Sequence, residues 1–130
     1  MKIHIKGIQK TYSTLRKKTE VLKNIDLTIE DREFFVLLGP SGCGKSTLLN
    51  IIAGLERPTG GELYFGGRLV ASSDKKDFVQ PKERNVAMVF QNYALYPHLT
   101  VFENIAFPLR IARAAPEAIK MGVEKSAEIL

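Results

Sequence analysis

Residues 39–47 read GPSGCGKST and follow directly on the apolar run FFVLL at 34–38. A short, continuously apolar run predicts a strand covered on both faces. Downstream, Lys45 to Ala53 has helical spacing through Leu48, Leu49, Ile51 and Ile52, and Gly54 supplies its stop. Strand, glycine-rich loop and helix therefore come in one unit. From Gly39 to Ser46 the loop fits G-x-x-x-x-G-K-[ST], a pattern that chance places in well under about one chain in a hundred of this length.

Physical chemistry explains the composition. Glycines let the backbone curl so that successive N–H groups face inward as an anion cradle, and the helix start adds the positive end of its dipole. The candidate cradle is Gly39, Ser41, Gly42, Cys43, Gly44, Lys45, Ser46 and Thr47. Lys45 is expected to reach the β- and γ-phosphates of a nucleotide, Ser46 to offer its hydroxyl to Mg²⁺, and Thr47 to serve the α-phosphate. Cys43 is needed there for its backbone alone. The competing reading, a plain glycine-rich turn with a surface lysine, leaves the flanking strand and helix unexplained.

Around this centre the pattern predicts a mixed α/β chain. Ile3, Ile5 and Ile8 suggest a first strand, 13–20 a polar turn, and Ile25, Leu27 and Ile29 a half-buried antiparallel strand. ELYFGGRLV is a hairpin bending at Gly66-Gly67, 71–85 a polar surface loop, and VAMVF at 86–90 a second buried strand. Residues 91–99 are a loop. Thr100 and Glu103 form a capping box for a helix that bends or ends near Pro108. Pro116 opens a last helix with Ile119, Val123, Ala127 and Leu130 on one face.

The totals narrow the class. A net charge of +5 is spread along the chain apart from Arg16-Lys17-Lys18 and Lys75-Lys76, which read as solvated loops, so no nucleic-acid partner is expected. The single cysteine excludes an internal disulfide and suits a reducing compartment. No apolar run approaches the roughly 18 residues that span a bilayer, and MKIHIKGIQK has no secretory h-region. Work at a membrane would need spanning helices from another chain.

Gln91, at the end of VAMVF, is the second candidate site residue: it can complete a Mg²⁺ shell or orient a water, or it merely caps a loop. With it, GPSGCGKSTLLNIIAGLERPTGGEL followed by VAMVFQNYALYPHLTVFENIAFPLR resembles the ATPase subunit of ATP-binding cassette transporters. FQNYALYPHLTV is most similar to the importers of sugars and other small solutes, and the resemblance runs from Ile3 to Leu130.

The resemblance implies an α/β P-loop NTPase fold with a flanking antiparallel β subdomain, a nucleotide-binding core over 1–99 and the start of a helical subdomain over 100–130. It implies ATP and Mg²⁺ as cofactors, with Tyr12 stacking on adenine and Gln91 sensing Mg²⁺ and the γ-phosphate. It implies integral membrane permease subunits meeting residues 92–110, where Tyr93, Tyr96, Pro97, Leu99 and Phe102 make an amphipathic face or else pack a small helical subdomain. A second ATPase subunit and a place on the cytoplasmic face of the membrane complete the picture. Residues 13–20 are longer than the family's usual turn.

Three further family pieces are absent from these residues: an LSGGQ-like stretch, an apolar strand ending in Asp-Glu, and a later histidine, since His4 and His98 fit neither place nor context. The expectation is the N-terminal part of a longer subunit that binds MgATP weakly without turning it over. A soluble cassette protein of DNA repair or translation, and a non-catalytic regulatory fragment, are the competing functions.

Overall fold

The computed structural model describes residues 1–74, 77–91 and 95–129. They fall into two compact units, Met1–Met88 and Val89–Leu130.

The first unit is built on an antiparallel sheet. Strands β1 (Ile3–Ser13) and β2 (Lys18–Ile29) pair along most of their length. Strand pairing takes up both ends of the polar stretch expected as a turn over 13–20. The reversal is confined to residues 14–17 and closed by the Thr14 N–H donating to the Lys17 carbonyl at 2.9 Å. β3 (Gly60–Phe65) and β4 (Arg68–Ser72) form the expected hairpin across Gly66-Gly67. The order is β2-β1-β3-β4. Ile5 stands between Leu27 on β2 and Leu63 on β3, and both Ile5 and Leu63 are buried, as period-2 alternation requires.

Helix α1 (Lys45–Ala53) has the predicted limits. It puts Leu48 and Ile51 into the core made by Ile5, Ile8, Leu22, Leu63, Phe65 and Val70. Ile51 has no exposed surface, and its burial contributes about 1.5–3 kcal/mol. The helix ends at Gly54, φ 81°, in the left-handed region.

The expectation of a polar surface loop over 71–85 fails at both ends and in its middle. Ala71 and Ser72 still belong to β4, Phe78 and Val79 pack against the core, and Arg84 is buried at 2% exposure. Its guanidinium is satisfied by backbone: Nη1 donates to the Ile51 and Ile52 carbonyls at 2.7 and 2.9 Å, and Nε to Val79 at 2.9 Å. Burial pulls the Arg84 pKa below its ordinary value. Its position is reached through a short 3₁₀ turn at Pro81–Glu83.

The two strands predicted as buried are corrected as well. Neither 34–38 nor 86–90 has strand structure, and Phe34, Leu38 and Val89 are 92%, 89% and 93% exposed. Leu37 and Val86 lean on the core while these neighbours face outward. The cause is hydrogen bonding: an extended segment becomes a strand only with a ladder partner, and the four-stranded sheet pairs with neither segment.

In the second unit, α2 (Val101–Ile111) and α3 (Pro116–Ile129) pack on each other. The Thr100–Glu103 capping box is fully formed, and Pro108 lies inside α2, which ends at the next turn. Pro116 is the first residue of α3. Val123 is buried and Ile119 half-buried, while Ala127 is exposed and Leu130 lies outside the described residues. No helix among the described residues is long and apolar enough to cross a membrane.

Candidate functional site

The glycine-rich loop carries the chain from the exposed Leu38 into α1 through a tight reversal, with the Cys43 N–H donating to Pro40 O at 3.4 Å. Gly44 is the N-cap, with φ 98°. A Cβ there would also come within 2.8 Å of Leu22 Cδ2 and 3.1 Å of Val21 O, so both torsion and packing against β2 demand glycine. No side chain caps the helix start, which leaves its first N–H groups to an external acceptor. Ser41, Gly42, Cys43 and Ser46 are exposed at the loop's mouth, and Lys45 and Thr47 are half-buried.

Lys45 folds back over the loop. Its Nζ donates to Gly39 O and Pro40 O, each at 2.7 Å, and lies 3.5 Å from Cys43 Sγ. The Cys43 side chain thus touches the ammonium, where sequence reasoning assigned it only a backbone. Among the described residues no carboxylate pairs with Lys45. Neutral carbonyls solvate the charge without cancelling it, so the uncapped helix start and the ammonium together favour an anion. The exposed Ser46 hydroxyl is a hard, neutral oxygen of the kind Mg²⁺ takes alongside phosphate and water, so the donor chemistry fits that ion.

Tyr12 lies at the end of β1, 40% exposed, paired with Thr19 on β2. Hydrogen bonding to the Glu56 carboxylate, then burial, raises its phenol above the ordinary pKa, and the Thr47 hydroxyl acts in the opposite direction. Strand β1 thereby brings Tyr12 to Thr47 of the loop, two residues the sequence linked only through resemblance.

Gln91 is exposed and belongs to the second unit, so its partnership with Ser46 rests on the sequence. Tyr93 lies outside the described residues. Of the rest of the expected contact face, Tyr96, Pro97 and Phe102 are exposed and Leu99 is half-buried. Tyr96 also packs on Phe107, ring centroids 4.6 Å apart. Asn104, which sequence reasoning missed, fixes this loop: its Oδ1 accepts from Tyr96 N at 2.8 Å, and its Nδ2 donates to the carbonyls of Tyr96, Leu99 and Thr100. A groove of about 460 Å³ opens between Tyr96, Leu99, Phe107 and Ile111.

Residues 22–129 match the model of the ABC transporter family. The chain belongs to the ABC transporter family. This family member is 52% identical over 109 residues to the trehalose/maltose import ATP-binding protein MalK of Thermococcus litoralis, covering 84% of the chain and 29% of that protein. It is 47% identical over 128 residues to the sn-glycerol-3-phosphate import ATP-binding protein UgpC of Yersinia pseudotuberculosis, covering 98% of the chain and 33% of that protein. The chain spans about a third of the length of the curated relatives it matches. Among solved structures it is similar to the dimeric ABC transporter cassette MJ0796, with TM-score 0.77 and 35% identity over 97% of the chain and 54% of that cassette. A post-hydrolysis dimer of the same cassette, bound to ADP and Pi, gives TM-score 0.71 and 32% identity, covering 94% of the chain and 54% of that cassette. The P-loop α/β class and the family read from the two motifs both hold.

Two further residues escaped the sequence. Arg84 ties the end of α1 to the segment leading toward Gln91, and its only signal was an arginine in a polar stretch. Glu56 meets Lys10 in a half-buried ion pair at 3.0 Å, and nothing local marks the pair.

Proposed function

We propose that this chain carries the ATP-binding half of the nucleotide site in the ATP-hydrolysing subunit of a transporter that imports small solutes. The observation that supports it most is the Lys45 ammonium held over the loop at an uncapped helix start, with no carboxylate partner among the described residues. Gly39, Ser41, Gly42, Cys43 and Gly44 present backbone N–H groups to the phosphates. Lys45 neutralises the terminal phosphates, and Thr47 serves the α-phosphate. Tyr12 gives a flat face to adenine. Ser46 would hold Mg²⁺, which would supply neutralisation of phosphate charge, and the sequence motif alone assigns Gln91 to the same ion.

The import reading is supported by the two relatives, both import ATP-binding proteins. In it, residues 92–110 meet integral membrane permease subunits, a second copy of the ATPase subunit shares the nucleotide, and the protein works on the cytoplasmic face of the membrane. The dimeric cassettes support the paired arrangement.

Photolabelling with 8-azido-ATP tests the site. The expected adduct lies on the peptide containing Tyr12, is competed by ATP and is lost in Lys45→Ala. Labelling elsewhere, or labelling indifferent to both ATP and Lys45→Ala, contradicts the assignment.

A further inference from the structure

The end of β1 is fastened to the segment that follows α1 by a set of contacts that the phosphate loop does not use. Lys10 Nζ bonds Glu56 Oε1 at 3.0 Å and the Arg57 carbonyl at 2.7 Å, and the Lys10 and Glu56 side chains are only 12% and 19% exposed. The same ammonium stands 5.0 Å over the Tyr12 ring centroid. Lys10 and Tyr12 are two apart on one strand and so share a face. The Thr11 N–H donates to Thr59 Oγ1 at 3.0 Å, and the Thr59 N–H to Gln9 O at 2.9 Å. At the other end, the N–H groups of Leu55 and Glu56 donate to Asn50 O in the last turn of α1.

We propose that the Lys10–Glu56 ion pair is a positioning device for the Tyr12 ring, fixing the base platform to the phosphate-loop helix and setting the base-dependent part of nucleotide affinity. The inference rests on the reading of Tyr12 as the platform for a flat heteroaromatic base. The cation covers one face of the ring and leaves the other for the base. Because the ammonium is also held by Glu56 and by Arg57, it cannot follow the ring, so the ring is held to it. Among the described residues, no hydrogen bond or ion pair joins Lys10 or Glu56 to the loop backbone or to Lys45, so the phosphate contribution is left alone.

The test compares MgATP with inorganic tripolyphosphate, which has no base, by titration calorimetry on the 130-residue chain. Lys10→Met and Glu56→Gln are expected to weaken MgATP about two- to fivefold and to leave tripolyphosphate unchanged. Lys10→Arg, which keeps the charge, is expected to restore most of the loss. Unchanged MgATP affinity in both variants overturns the inference. So does a parallel loss for both ligands, which marks a merely structural pair. Should Lys10→Met fail to fold, Glu56→Gln, which keeps the side-chain volume, carries the test. Tyr12→Ala separates the two layers. If it weakens MgATP while Lys10→Met does not, the platform stands and this inference falls. If Tyr12→Ala itself leaves MgATP unchanged, the platform reading fails.

Discussion

The Arg84 guanidinium donates to the Ile51 carbonyl at 2.7 Å, closing the end of helix α1 from 33 residues away. The last carbonyls of a helix have no partner within it. Here a buried cation satisfies two of them together with the Val79 carbonyl. Arg84→Met keeps much of the volume and removes every donor. It is expected to destabilise the chain by about 2–4 kcal/mol, because the Ile52 and Val79 carbonyls lose the guanidinium and the Ile51 carbonyl keeps only the Gly54 N–H at 3.2 Å. Urea denaturation measures this, and a loss below about 0.5 kcal/mol would show that water replaces the guanidinium at no cost.

Gly54 is bound to the same residue. A Cβ there would come within 2.5 Å of Arg84 Nε, at a backbone φ of 81°. Gly54→Ala is expected to cost more than the roughly 1–2 kcal/mol of a left-handed alanine alone. Combined with Arg84→Met it is expected to cost less than the two single losses together, since the clash disappears with the guanidinium. Additive losses in a double-mutant cycle would contradict the contact.

Glu103 makes helix α2 sensitive to acid. Its carboxylate accepts from the Thr100 backbone N–H at 3.0 Å and from the Thr100 hydroxyl at 3.1 Å, and these bonds, backbone first, hold its pKa below the ordinary value. A depressed carboxylate stabilises the fold above its unfolded pKa, and that stability is lost as pH falls through the lower folded value. Helicity followed by circular dichroism is therefore expected to decline below the ordinary carboxylate range, near pH 4. Glu103→Gln, which keeps a capping acceptor, is expected to flatten this component. An unchanged acid profile in the variant would remove Glu103 as its source.

Binding and turnover are expected to separate in these 130 residues. They contain no LSGGQ-like stretch and no apolar strand ending in Asp-Glu, the strand end where the family resemblance expects the general base for water. Phosphate release from MgATP is expected to stay at the uncatalysed level. Sustained release that disappears in Lys45→Ala would contradict this.

Local signals made α1, the 66–67 hairpin, the capping box and the start of α3 legible in the sequence, because each is decided by residues a few positions apart. Phe34–Leu38 and Val86–Phe90 were misread. An apolar run reports a preference for burial, whereas strand structure also needs a hydrogen-bonding neighbour, which lies elsewhere in the chain or outside it. Arg84 was illegible for a related reason: its partners are carbonyls of Ile51 and Ile52, and carbonyls leave no mark on a sequence. At the site, the loop was legible down to Gly44. The Lys10–Glu56 pair and the closeness of Tyr12 to Thr47 arise only when β1 is laid beside the segment after α1.

Titration calorimetry of MgATP into the 130-residue chain, beside Lys45→Ala, tests the central claim most directly. The account predicts saturable binding that Lys45→Ala weakens about ten- to a hundredfold, the worth of a charge-assisted contact to phosphate. No binding, or equal binding by the variant, would mean that residues 39–47 are not a phosphate cradle in this chain.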